Sequence, residues 1–262
     1  MYRVNRGCVQ LIILSMLMCG CGSKDAKQVW DQGLKKCAAS DLLGPNILYF
    51  GPSNALGPGT VFQKFADGGL QPSHLLSQYG TTSLYAPAQT FQCSAVASSS
   101  FKLNANATLP SVIPVNGTVA GSISTATNIT VNAQSLEWDQ LVTGPYKALV
   151  LGFPDSNPVK SDLLNEHQLV LSRALRVSGM SAVVEFTHDN GVNAKANIPN
   201  GPIAGAGLSL DATWTGDTKL TITAPADFYI AGELRTFSVN GLAGGSRDVG
   251  SVVDPKGLYV KK

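Results

Sequence analysis

The chain is short of charge, of histidine and of long apolar runs, and each shortage narrows what it can do. Charged side chains make up 14% of its 262 residues, against roughly a quarter in an average globular domain. Its three histidines, His74, His167 and His188, lie in separate segments with no pair at metal-ligand spacing. Glu166-His167 and His188-Asp189 are adjacent pairs, whose side chains diverge on a strand. Gly51-Pro52-Ser53-Asn54-Ala55 fails the last position of a hydrolase elbow, and Gly244-Gly245-Ser246 lacks the strand–helix setting such an elbow needs. Phosphate-loop and dinucleotide fingerprints are missing; Gly201, Gly205 and Gly207 fall between strand-like runs as turn or bulge formers. These gaps point away from an enzyme, and no metal or cofactor is expected. The remaining enzyme reading is a loop-borne site in the cell envelope, for instance Glu185 meeting Asp189. Trp30, Trp138 and Trp214 are most simply core or sheet aromatics.

The longest apolar run, Val9 to Met18, is interrupted by Gln10 and Ser15, and spanning a bilayer takes about 20 residues. Arg3 and Arg6 precede it, the pattern of a secretory signal. The run ends in Leu17-Met18-Cys19-Gly20-Cys21-Gly22-Ser23. This resembles the lipobox of bacterial lipoproteins, in which a small residue precedes the cysteine that takes the lipid. Cys21 fits, with Gly20 before it; Cys19 follows the larger Met18. The resemblance implies a signal peptide over 1–20 and an acyl anchor on Cys21, the bilayer being the first partner. Glycine after that cysteine favours the outer membrane of a two-membrane cell. An ordinary cleaved signal, or an uncleaved interfacial helix, is the alternative. Residues 21–40 then read as a tether and an N-terminal helix carrying Val29, Trp30 and Leu34. With Cys8 and Cys19 removed and Cys21 acylated, Cys37 and Cys93 remain. In an oxidising compartment they are a candidate disulfide, closing about 57 residues for roughly 4 kcal/mol of loop entropy; two buried free thiols are the alternative.

Removing 1–20 takes two of the 19 basic residues and none of the 17 acidic ones, leaving 17 of each. A neutral body offers no electrostatic grip on nucleic acid. With 27 Gly and 14 Pro, the body over 41–262 reads as a single β-dominated α+β domain. Antiparallel amphipathic strands and hairpins are expected beside the N-terminal helix and one short central helix, opened by Ser161. Between Gly68 and Leu136 the only charged residue is Lys102. In this stretch Phe101, Leu103, Ala105, Ala107 and Leu109 alternate with polar residues. So do Val115, Gly117, Val119, Gly121 and Ile123, and then Ile129, Val131 and Ala133. Period two predicts strands. Ile47–Phe50, Thr60–Phe62, Lys147–Phe153, Ala182–Phe186, Leu208–Trp214, Leu220–Thr223 and a run from Phe228 are further predicted strands, and Leu136–Leu141 is a run that holds Trp138. Asp189-Asn190-Gly191 is a predicted hairpin turn leading into a strand over Val192–Ile198. Around Leu169–Val177, helix and strand compete.

Two non-enzymatic functions are consistent with this pattern. One is a tethered binding or structural module whose partner is an envelope protein or a second copy of itself. The other is a membrane-inserting β-hairpin protein, because membrane strands of about 9–11 residues alternate apolar and polar faces with few charges. Val115, Val119, Ile123, Ile129 and Val131 are its candidate lipid-facing residues. The order of N-terminal helix, short hairpin, low-charge strands, linker and further hairpins, closing on Asp227-Phe228-Tyr229-Ile230-Ala231-Gly232-Glu233-Leu234, resembles the layout of the pore-forming domain of gasdermin-type proteins. That resemblance implies pore formation; the neutral body departs from the basic surface such domains turn to acidic lipids. Asn106-Ala107-Thr108, Asn116-Gly117-Thr118 and Asn128-Ile129-Thr130 match the N-glycosylation pattern, which an Asn/Thr-rich stretch produces by composition.

The lipobox reading predicts that Cys21→Ala abolishes incorporation of labelled palmitate and leaves an unprocessed precursor. Labelling retained in Cys21→Ala would overturn it.

Overall fold

One strand supplies side chains to all three apolar clusters of the described residues. The computed structural model describes residues 30, 44–75, 85–91, 115–165, 168–204, 208–237 and 251–261. In chain order the elements are β1 (Ile47–Ser53), β2 (Val61–Lys64), β3 (Gly69–His74), β4 (Tyr85–Phe91), α1 (Gly117–Ile123), β5 (Asn128–Asn132), β6 (Ser135–Leu141), α2 (Thr143–Gly152), α3 (Pro158–Asn165), β7 (Gln168–Ser178), β8 (Ser181–Glu185), α4 (His188–Asn197), β9 (Gly201–Ala204), β10 (Ser209–Thr215), β11 (Lys219–Thr223), β12 (Phe228–Phe237) and β13 (Tyr259–Val260). The class is β-dominated α+β. β7 pairs along one edge with β12 and along the other with β2 at its start and β6 at its end. Leu169, Leu171 and Ala174 enter one apolar cluster, Val170 a second, and Leu175 and Val177 a third.

That distribution depends on a bulge. The pairing of β7 with β12 passes from Arg173↔Glu233 to Leu171↔Leu234, leaving Ser172 as the extra residue; its hydroxyl donates to the Glu233 carbonyl at 3.0 Å. An extra residue inverts the facing of everything beyond it. Leu169 and Leu171 therefore share a face with Ala174 and Arg176, while Leu175 and Val177 turn the other way. This is why the run around Leu169–Val177 shows no clean period of two.

The smaller sheet, ordered β5-β8-β11-β10-β9, is antiparallel throughout. Its inner face carries Ile129, Val131, Ala182, Val184, Leu220, Ile222, Leu210, Ala212 and Trp214, all buried. Its outer face bears Thr130, Val183, Thr221 and Thr213 in lateral register. The strands predicted at 128–133, 182–186, 208–214 and 220–223 are present, because one buried face and one wet face make alternation visible.

Three predicted strands are helices instead. The run 147–153 lies mostly in α2, where Tyr146 and Val150 pack one turn apart against Val159 and Leu163 of α3; Leu151, 47% exposed, would have no second buried face as a strand. Asp189-Asn190-Gly191 is no hairpin turn, and 192–198 no strand: α4 runs through both, burying Gly191 and Ala194 with Ile198 beyond its end. Asp189 lies in its first turn and Lys195 in its last, complementing the helix dipole. The run 115–123 is the third, and most of it forms α1. The central helix begins at Pro158 rather than at a Ser161 cap, with Asn157 Oδ1 accepting from the Val159 N–H at 2.9 Å. Four helices stand among the described residues where one, the central helix, was predicted; the predicted N-terminal helix lies outside the described residues apart from Trp30, which is helical. The predicted strand at 101–109 lies outside the described residues.

α4 is clamped to the β10–β11 turn. Lys195 Nζ bonds Asp217 Oδ1 at 2.9 Å, and that hydrogen bond and charge lower the Asp217 pKa below the ordinary carboxylate value. Three residues further on, the Ile198 carbonyl accepts from Trp214 Nε1 at 2.7 Å. One turn before Lys195, Gly191 lies so close to the Asp217 carbonyl that a methyl group there would collide with rigid backbone. Gly191→Ala is therefore expected to destabilise the fold by about 1–3 kcal/mol, lowering the melting temperature by about 2–4 °C per kcal/mol. An unchanged melting temperature by circular dichroism would show that the approach of helix to turn is looser than this.

Candidate functional site

The five predicted lipid-facing residues share one apolar cluster. Val115, Val119, Ile123, Ile129 and Val131 are all buried in it, together with Trp30. Ile129 and Val131 sit on β5, as alternation predicts. Val119 and Ile123 sit on α1, which corrects the predicted strand. The correction has a local cause. Asn116 caps the helix, its Oδ1 accepting from the Val119 N–H at 2.9 Å. The sequence Val115-x-Gly-x-Val119-x-Gly-x-Ile123 satisfies two periods at once: odd positions share a strand face, while Val119 and Ile123 are also one helical turn apart.

As a helix α1 is weak. Gly, Thr, Val, Ala, Gly, Ser and Ile include one strong helix former, Ala120. Its first turn holds no acid and its last no base, so the dipole is uncompensated. Ser122, Ser124 and Thr125 hydroxyls bond back to carbonyls of the same segment at 3.2, 2.6 and 2.9 Å, which competes with helical order. Seven residues alone would not stay helical in water. What holds α1 is burial of Val119 and Ile123, about 1.5–3 kcal/mol each. Gly117 and Gly121 oppose this by about 1 kcal/mol each. Neither glycine is needed for packing, since a methyl group at either would meet nothing within 4 Å.

An open, uncharged cleft of about 380 Å³ separates α1 from α4. Gly117, Thr118, Gly121, Ser122 and Thr125 line one wall; Asn190, Asn193, Ala194 and Asn197 line the other. Asn190 Nδ2 donates to the Thr125 carbonyl at 3.3 Å across the end of the cleft.

Charge is gathered elsewhere, on the larger sheet. Arg176 reaches Asp139 at 2.9 Å, Asp227 at 2.8 Å and Glu137 in the closest contact of the three. The Tyr229 hydroxyl donates to Asp139 at 2.6 Å. Partial burial works against the guanidinium charge, but hydrogen bonds to Asp227 and Asp139 and the charges of Asp139 and Glu137 outweigh it and raise its pKa. Nearby, Arg173 pairs with Glu233 at 3.0 Å and lies over Trp138 at 4.8 Å. Sequence reasoning does not find this network; its one signal is acids and arginines inside strand-like runs. His74 Nε2 lies 2.7 Å from Asp162 Oδ2, tying β3 to α3, a pairing across 88 positions that spacing does not reveal. His188 is exposed at the start of α4. Glu185 accepts from Asn128 at 3.1 Å, and no contact among the described residues joins it to Asp189. Cys21, Cys37, Cys93 and His167 lie outside the described residues.

No family model and no curated protein sequence matches the chain. Among solved structures it is similar to a bacterial gasdermin from Bradyrhizobium tropiciagri, with a TM-score of 0.42 and 14% identity over 86% of this chain and 97% of that one. A likeness at that score carries no argument about function.

The open space at α1 makes a prediction opposite in sign to that at Gly191. Gly117→Ala and Gly121→Ala should each stabilise the protein by about 1 kcal/mol, with a rise in melting temperature of about 2–4 °C apiece. A fall in either variant would show that the glycines serve the packing of α1.

Proposed function

We propose that the protein is an exported, lipid-anchored envelope protein that perturbs bilayers by inserting residues 115–133 as a β-hairpin. The observation carrying this reading is the character of α1: a glycine-weakened helix made from a sequence with strand alternation, held to the core by Val119 and Ile123. Rebuilt as a strand, 115–123 continued through 128–133 gives two amphipathic runs with no charge on either face. The first, nine residues long, meets the roughly 9–11 a membrane strand requires, and the second, of six, reaches it by continuing into the residues that flank it. Leaving the core costs the burial of a few aliphatic side chains and the pairing of β5 with β8; entering hydrocarbon returns the first, since lipid shields the same surface, and the hairpin's own pairing, closed by further strands, replaces the second.

The anchor supports the same reading. Trp30, buried in the cluster that holds α1, is nine residues from Cys21, a span of at most about 30 Å. An acyl chain there keeps the segment within reach of the bilayer at all times. Membrane recruitment then needs no basic surface, which the neutral body does not provide.

The test is dye release from vesicles of phosphatidylethanolamine and phosphatidylglycerol carrying the lipidated protein. Gly121 is exposed in the fold but shares strand parity with Val119 and Ile123, so Gly121→Lys leaves the folded state intact and puts a charge on the lipid face. Such a charge costs about 2–4 kcal/mol near mid-membrane, and release should fall at least tenfold. Thr118→Lys, exposed and of the opposite parity, should leak like the parent. Equal loss in both variants, or no release by the parent protein, would overturn insertion and leave a tethered binding module.

A further inference from the structure

The cleft between α1 and α4 has a chemistry that selects its occupant. Its lining residues carry no charge, which leaves phosphate, carboxylate and metal ions without a counter-charge and with their desolvation uncompensated. What it offers is neutral and two-way. Asn190, Asn193 and Asn197 repeat along one side of α4, and each carboxamide both donates and accepts. One N–H of Asn190 and one of Asn197 are engaged, by the Thr125 carbonyl at 3.3 Å and the Asn193 carbonyl at 3.1 Å, which leaves each amide an N–H and an oxygen. Among the described residues the Asn193 amide and the Thr118 hydroxyl make no hydrogen bond. Opposite them, Gly117 and Gly121 expose bare backbone with open space above it, a flat surface on which the C–H face of a sugar ring can lie. The volume, about 380 Å³, falls within the range of small-ligand sites.

We propose that this cleft binds an uncharged saccharide, and that the bound sugar bridges α1 to α4 and so holds α1 in its helical state. The first half stands on the cleft alone; the second rests on the insertion of residues 115–133 proposed for the function. A ligand that binds only the closed state stabilises it by its binding free energy. A helix as weak as α1 is the element on which such a ligand would act. Neutral glycan would then act as a restraint, released where the glycan is absent.

Binding is tested first, on the full-length lipidated protein in detergent, with triacetylchitotriose and maltotriose as probes. Titration calorimetry should show saturable binding of at least one. Asn193→Ala, an exposed change expected to leave the melting temperature in place, should weaken it about tenfold, the effect of one lost hydrogen bond. Thr213→Ala, on the outer face of the smaller sheet, should bind like the parent. No binding of either sugar, equal affinity in Asn193→Ala, or tighter binding of trigalacturonate than of the neutral sugars would overturn the site. The second arm repeats dye release with the bound sugar present: release should fall for the parent and not for Asn193→Ala. Sugar binding without any change in release would overturn the restraint while leaving the site. Absence of release in every sample would sink the insertion reading, and calorimetry would still decide the cleft.

Discussion

The bulge at Ser172 is the constraint on which the larger sheet depends. β7 supplies aliphatic side chains to all three apolar clusters, Val170 to one before the bulge and Leu175 and Val177 to another after it on the same face, with Leu169, Leu171 and Ala174 opposite. Insertion of one residue lets Leu169 and Leu171 serve one cluster, then hands Leu175 and Val177 to another across the sheet. Gly232 on β12 sits opposite Ala174, where a side chain would strike the Arg173 carbonyl and Leu171. The pairing of β12 with β7 therefore needs glycine at that point. Arg176, on the Leu169 face beyond the bulge, is placed by the same inversion between Glu137 and Asp139 of β6 and Asp227 ahead of β12. Restore the regular register and the guanidinium would point into the core that Leu175 now fills.

Which elements are legible in the sequence depends on how many faces each buries. β10 and β11 bury one side against the core and leave Thr213 and Thr221 on the other, so alternation declares them. β7 is ambiguous because its bulge breaks the period. α4 escapes a local reading because Asp189-Asn190-Gly191 is a strong turn signal in isolation; Gly191 is there for the close passage of the Asp217 carbonyl, a contact no local pattern announces. α2 escapes it because a short apolar run fits a buried strand or a helix equally. Of the candidate site, the five aliphatic residues are legible and do share one cluster. The cleft is not, because its two walls are more than sixty residues apart and the alternation of one of them imitates a strand.

α1 shows how little separates the two conformations of one segment. Its helical form depends on an Asn116 cap and two buried side chains, offset by two glycines that packing does not demand. Substitutions to alanine at such positions normally stabilise, so keeping glycine at both is a local inconsistency of the kind found where function requires a low-stability element. The same glycines open the cleft wall toward α4. A segment with these properties is well placed to exchange states and equally well placed to be restrained by a ligand, and the two consequences arise from one feature.

The placement of charge fits that division. Ion pairs gather on the larger sheet and around α3, through Arg176, Arg173 and Lys160, with Lys195–Asp217 clamping α4 to the smaller sheet, while Lys102 is the only Asp, Glu, Lys or Arg between Gly68 and Leu136. Moving a paired charge into hydrocarbon costs several kcal/mol, so the charge-bearing sheet is the part least able to leave water. A stretch free of charge carries no such penalty; it is bound to the rest by apolar packing, by the β5–β8 ladder and by a few neutral hydrogen bonds, of which a bilayer can replace only the first. The partition of charge thus separates a frame cross-linked by ion pairs from a segment that keeps its place by packing and neutral hydrogen bonds.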